Sequence, residues 1–248
     1  RYDTTKEFES VEAWSTFDAG NFGIGTDPDG YSGIISDGKF LYFSPYNNGE
    51  NFHGEVLRYD TTKDFESVQA WDTFDASKNG LGIGATGYWG GVFDGHYIYF
   101  TPLLQFNEDE EKYLPHGEVL RYDTTKDFES VESWSTFDPS ENGVGYNAKG
   151  YAAMAYDGHY IYLSPDTNVM PLSRISGENS IFQAHGEVLR YDTTKDFESV
   201  ESWDTFDPSK NGLGIDAVGY NGIIFDGDSI YLVPFFHNDL VPHSNVLK

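Results

Sequence analysis

The chain has 248 residues and a formal net charge of −26 at pH 7, with no cysteine and an aromatic content of 17%. The charge repels nucleic acid and anionic membrane surfaces, the missing thiols exclude disulfides and thiolate metal sites, and no apolar run is long enough to insert in a membrane. What remains is an aromatic-rich composition suited to the flat packing of β-sheets.

The sequence repeats itself. Arg1-Tyr2-Asp3-Thr4-Thr5-Lys6 returns at Arg58, Arg121 and Arg190, each time followed by Phe-Glu-Ser-Val, a Trp and Thr-Phe-Asp. The steps are 57, 63 and 69 residues, a spacing that marks propellers, solenoids or arrays. Each unit has a proline (Pro45, Pro102, Pro165, Pro234) and then a histidine (His53, His116, His185, His243), separated by 8, 14, 20 and 9 residues. Subtracting the first three separations from their steps leaves 49 every time, so one loop per repeat carries all the length variation.

In chain order each unit predicts four strands. The first is a glycine-rich segment after Gly30-Tyr31, Gly87-Tyr88, Gly150-Tyr151 and Gly219-Tyr220, small enough for a crowded axis. It ends at an Asp-Gly hairpin turn (Asp37-Gly38, Asp94-Gly95, Asp157-Gly158, Asp226-Gly227). The second strand is Phe40-Leu41-Tyr42-Phe43 and its equivalents, the third runs from the histidine through Gly-Glu-Val-Leu-Arg-Tyr-Asp, and the fourth centres on Trp14, Trp71, Trp134 or Trp203 after a polar or single helical turn. Four antiparallel strands make a propeller blade. The expected architecture is therefore an all-β, four-bladed β-propeller occupying residues 1–248 as one domain. Because Lys248 falls where the repeat arginine belongs, and Arg1 stands there again, the N- and C-terminal strands are expected to complete one blade and close the ring; an excerpt of a longer propeller, cut at one repeat position at both ends, is the alternative.

The run Ile215-Asp216-Ala217, Phe225-Asp226-Gly227 and Ile230-Tyr231, with a downstream Arg-Tyr-Asp, resembles the hemopexin-like repeat, and it is echoed at Ile83-Gly84-Ala85 and Tyr146-Asn147-Ala148. The resemblance implies a four-bladed propeller whose inner strands hold ions in the tunnel. This chain has longer units and no cysteine for the disulfide that often ties the family's ends.

Three constellations can carry chemistry. The recurring His53, His116, His185 and His243 open the third strand, roughly 10 Å outward from the first, so they cannot converge on one ion. They either order the loop by hydrogen bonding or contact a ligand. Asp27, Asn147 and Asp216 precede the first strands and offer oxygens of the kind Ca²⁺ takes at a channel mouth; ordinary turn chemistry is the competing reading. The variable loops bring Tyr46, Phe52, Phe106, Tyr113, Phe235 and His237 among Asn, Asp and Glu, a mixture suited to sugar or peptide recognition.

These observations predict a non-enzymatic binding or structural module, extracellular or at the cell surface, that meets a glycan, peptide or protein with its variable-loop face. The chain starts at Arg1, which fits processing of an exported protein. One alternative is a polysaccharide hydrolase or lyase using loop carboxylates such as Glu50, Asp109, Asp166, Glu178 or Asp239. Another is a cation-stabilised surface-layer or fibre subunit capable of self-assembly.

Overall fold

The structure is a computed structural model and describes residues 1–82, 84–107, 112–169, 183–238 and 241–248. Every described strand ladder is antiparallel. The first sheet contains β1 (Tyr31–Ser36), β2 (Phe40–Pro45), β3 (Glu55–Asp60) and β4 (Trp71–Asp75), hydrogen-bonded in that order. The second contains β5 (Tyr88–Phe93), β6 (Tyr97–Pro102), β9 (Val119–Asp123) and β10 (Trp134–Phe137), with the small hairpin β7 (Leu104–Asn107) and β8 (Lys112–Pro115) inserted between β6 and β9. The third repeats the pattern with β11 (Tyr151–Tyr156), β12 (Tyr160–Pro165), β15 (Val188–Asp192) and β16 (Trp203–Phe206). Its insertion carries β13 (Thr167–Val169) and β14 (Gln183–Ala184). A final pair, β17 (Tyr220–Phe225) and β18 (Ile230–Pro234), is joined by a single bridge from Leu247 to Leu232. A single helical turn precedes each recurring tryptophan, at Val11–Ala13, Val68–Ala70, Val131–Ser133 and Val200–Ser202.

The repeated residues earn their places by repeated contacts. At each hairpin the aspartate serves as acceptor: Asp37 Oδ1 takes the N–H groups of Lys39 (2.8 Å) and Phe40 (2.6 Å), and Oδ2 takes the Tyr42 hydroxyl (2.8 Å). The glycine that follows has φ of 94° to 104° in all four turns, a region that disfavours any Cβ. In the outer half of the blade, the tryptophan indole donates to the carbonyl six residues earlier, Trp134 to Phe128 and Trp203 to Phe197, both at 2.9 Å. The tyrosine of Arg-Tyr-Asp packs over the same indole at 4.6 Å in the three complete blades.

The core lies between blades. One apolar cluster joins Ile35, Tyr42, Val56 and Phe74 of the first sheet to Tyr88, Ile98, Phe100 and Trp134 of the second. Another joins Tyr99, Val119 and Phe137 to Tyr151, Leu163, Tyr191 and Trp203. Phe74 stacks on Trp134 of the next blade at 4.6 Å with planes 5° apart, and Phe137 on Trp203 at 5.7 Å. Arg58 lies over Phe40 of its own blade and Phe128 of the next, and Arg121 does the same with Tyr97 and Phe197. At the inner edge the small residues are needed because strands nearly touch: a Cβ on Gly33 would stand 2.8 Å from the Gly90 Cα.

One expectation is corrected. The ring is not closed by its terminal strands. Tyr2 bridges locally to Trp14, Leu247 bridges to Leu232, and among the described residues no ladder connects the two segments. The N-terminal segment packs instead on the first sheet, with Phe17 stacked on Trp71 at 4.8 Å and 2°. The inner strands neighbour one another in the series β1, β5, β11, β17, but β17 does not pack on β1 in the same way. The reason is physical: inter-blade contacts fix each blade only against its neighbour, and a shared repeat phase at the two termini does not bring them together.

Candidate functional site

The loops before the first strand and after the second meet at one end of the blades. The Gly30 carbonyl accepts the N–H groups of Tyr46 and Asn47, Gly87 those of Leu103 and Leu104, and Gly150 those of Asp166 and Thr167. Asn48 also donates through its amide to Asp27. This is the shared surface expected for the variable loops.

Across the first two repeats that surface carries a continuous run of rings. Trp89 meets Tyr46 at 4.8 Å, Tyr46 meets Phe52 at 4.9 Å, Phe52 meets Tyr113 at 4.9 Å, and Tyr113 meets Phe106 at 5.3 Å. All four contacts are edge-to-face, the geometry preferred by ring quadrupoles. The two ends of the run are open to solvent, Trp89 at 39% and Phe106 at 48% exposure. The structure thus brings Tyr46, Phe106 and Tyr113 together. Trp89 went unremarked in the sequence, yet the signal was present: of five tryptophans four recur at one repeat position, and the fifth interrupts an otherwise small-residue strand.

Phe235 and His237 belong to a separate group in the fourth repeat. Phe235 packs edge-on to Phe236 at 4.2 Å, His237 lies 4.3 Å from His243, and the His237 Nδ1 is 3.6 Å from an Asp216 carboxylate oxygen.

The four recurring histidines share one setting. Each lies edge-on to the tyrosine that opens the first strand: Tyr31–His53, Tyr88–His116, Tyr151–His185 and Tyr220–His243, all at 5.4 to 5.6 Å. His185 Nε2 is 3.3 Å from the Gly150 carbonyl, and His243 Nε2 is 3.0 Å from that of Gly219. His116 and His185 are only 2% and 3% exposed, and their rings pack beneath the loop surface. Burial pushes both imidazoles down to about 4 and lowers that of His53 as well.

Asp27, Asn147 and Asp216 sit in the first, third and fourth repeats, with Gly84 at the equivalent place in the second, and each has partners of its own. A glutamate on the third strand clamps the loops of Asp27 and Asn147: Glu55 accepts from the Thr26 and Asp27 N–H groups at 2.8 and 3.0 Å, and Glu187 from Tyr146 and Asn147 at 3.1 and 2.9 Å. Glu118 reaches Gly84 at 3.3 Å. Burial raises the carboxyl of Glu187 above its usual range. The sequence displays this glutamate in every His-Gly-Glu, but its partner thirty or forty residues upstream is not legible without the fold. Asn245 replaces it in the fourth repeat, where Ile215 is left 85% exposed. Among the described residues no group of three or more His, Asp or Glu side chains comes together in a metal-binding arrangement. A channel cation therefore rests on the sequence argument alone.

Of the loop carboxylates, Glu50 is exposed and Asp166 is buried. Asp109, Glu178 and Asp239 lie outside the described residues, as do Glu108, Glu110, Glu111 and Arg174 of the same loops and Ile83 of the repeat motif.

No protein-family profile matches the chain, and neither does any curated protein, so the hemopexin-like resemblance stands on its motif only. Among solved structures the chain is similar to YjhT, with a TM-score of 0.50 and 12% identity over 91% of this chain and 67% of that one. A second match is PorZ, an essential bacterial surface component of the type-IX secretion system of Porphyromonas gingivalis. It has 8% identity and a TM-score of 0.36 over 86% of this chain and 28% of PorZ, too distant to support an argument. The likeness to YjhT bears on fold. Together with the blade-like sheets it defines an all-β, β-propeller-like protein.

Proposed function

We propose that this protein is a non-enzymatic recognition module, extracellular or at the cell surface, that binds a glycan along the aromatic run of its loop face. The observation that carries this reading is the unbroken sequence of five rings from Trp89 to Phe106, with exposed rings at both ends and amide side chains of the same loops beside it. Apolar sugar faces pack on rings of this kind, and the asparagines Asn47 and Asn48, held in place by hydrogen bonds within their loop, add polar character to the same surface. The acidic surface, with no thiol chemistry, accords with an exported setting.

The test is a glycan-binding screen with the wild-type chain and the Trp89→Ala and Phe106→Ala variants. A bound glycan should lose about tenfold in affinity with either variant, the equivalent of about 1.4 kcal/mol. Binding that ignores both substitutions removes this face from the function. No binding to any glycan, with a peptide or protein captured through the same two residues, replaces the ligand class.

A further inference from the structure

We propose that the loop 138–144, which follows β10, is a binding site for a hard divalent cation, Ca²⁺ above all. The inference is independent of the glycan reading and of Asp27, Asn147 and Asp216.

The loop places oxygens at alternate positions. Asp138-Pro139-Ser140-Glu141-Asn142-Gly143-Val144 has a carboxylate, a hydroxyl and an amide at its first, third and fifth positions, then glycine and a backbone carbonyl. Calcium loops use these same positions, because a tight turn gathers alternate side chains and the seventh carbonyl around one point. Here the turn is already made. Asp138 Oδ1 accepts from the Ser140 N–H at 2.8 Å, the Ser140 hydroxyl at 2.6 Å and the Glu141 N–H at 3.2 Å. The Asn142 amide donates to the Asp138 carbonyl at 2.8 Å, and Gly143 turns the chain with φ of 80°. That leaves Asp138 Oδ2 and the Glu141 carboxylate, which meet no donor among the described residues.

Independent support for a cation at this place comes from the sister loops, which begin at Asp18, Asp75 and Asp207. In each, the fourth residue reaches the second oxygen of the first. Lys78 Nζ lies 2.9 Å from Asp75 Oδ2, Lys210 Nζ lies 3.4 Å from Asp207 Oδ2, and the Asn21 amide donates to Asp18 Oδ2 at 2.6 Å. Two of these loops thus hold an ammonium ion on the oxygen that Asp138 leaves open. Glutamate is longer than asparagine and shorter than lysine, so Glu141 has the same reach, but it brings a second carboxylate. Two like charges so placed, in a chain of net charge −26, favour a cation between them. The metal ion does in this loop what lysine does in its sisters. Only two carboxylates take part, and hydroxyl, amide, carbonyl and water oxygens complete the set of about six to eight that calcium takes. The twelfth position, a bidentate glutamate in the tighter calcium loops, is Lys149 here. The expected dissociation constant is accordingly weak, about 10⁻⁴–10⁻³ M.

Isothermal titration of Ca²⁺ into the chelator-treated 248-residue chain, at ionic strength held constant with NaCl, tests the site. One saturable ion per chain is expected, with a rise in melting temperature that chelator reverses. Glu141→Lys gives this loop the residue that the Asp75 and Asp207 loops already accommodate, and it should abolish the saturable binding. Lys78→Glu makes the opposite exchange and should add a second ion. Near-UV circular dichroism checks that the variants stay folded; Glu141→Gln replaces Glu141→Lys should that variant unfold, with the same loss expected. No saturable binding by the wild type, undiminished binding after the Glu141 substitution, or a single ion in Lys78→Glu overturns the proposal.

Discussion

The repeated frame and the loop face obey opposite rules. In the frame a residue type that recurs in sequence recurs in contact: aspartate closes the turn, tryptophan donates six residues back, tyrosine covers the indole, and buried histidine meets the opening tyrosine. On the loop face the informative residues are those that do not recur, Trp89 above all, which occupies a position held elsewhere by Ser32, Ala152 and Asn221. Repetition here reports mechanical necessity, and departure from it reports surface specialisation.

Substitutions should separate these regimes. The largest loss belongs to the frame between blades: Trp134→Ala empties a 5%-exposed site against Phe74, Phe100 and Tyr122, and urea unfolding should show a loss of about 3–5 kcal/mol. Next come the buried histidines. Their folded imidazoles titrate near 4 and ordinary ones near 6.5, so the unfolded chain binds the extra protons first. The stability they contribute is complete above about pH 6.5 and declines as pH falls towards 4, with about 3 kcal/mol as the upper figure for each. Unfolding measured at pH 7.5 and pH 5 should show this slope, and a His116→Gln, His185→Gln double variant should flatten it; the raised carboxyl of Glu187 opposes it slightly.

Smaller again is Glu187→Ala, which strands the Tyr146 and Asn147 N–H groups and should cost about 1–3 kcal/mol by thermal or chemical unfolding. The smallest effect on stability is expected from Trp89→Ala, within about 1 kcal/mol, because the ring is partly exposed and has one aromatic neighbour at 4.8 Å. A loop substitution that cost as much as Trp134→Ala would erase the distinction between the two regions.

The strands, their turns and the location of all length variation were legible because short-range chemistry specifies them: Asp-Gly needs a hairpin, and a β-branched or aromatic alternation needs a half-buried sheet. Closure was not legible. The phase shared by Arg1 and Lys248 gives a position within the repeat, whereas curvature arises from how Phe74, Arg58 and Ile35 seat on the neighbouring blade. The fate of the histidines was also hidden, since burial depends on the tyrosine of another strand. Of the candidate site, Tyr46, Phe106 and Tyr113 were foreseeable as loop aromatics. Their alignment into one run needed Phe52 and Trp89 placed from different repeats.

The inserted segments of the second and third repeats leave the frame from the same point, and both begin as a small antiparallel ladder, Leu104 opposite Pro115 and Thr167 opposite Ala184. Their Pro-to-His lengths exceed that of the first repeat by 6 and 12 residues and that of the fourth exceeds it by 1, yet the histidine that follows meets the opening tyrosine at 5.4 to 5.6 Å in all four. The blade frame therefore returns to the same position whatever the length of the loop between the second and third strands.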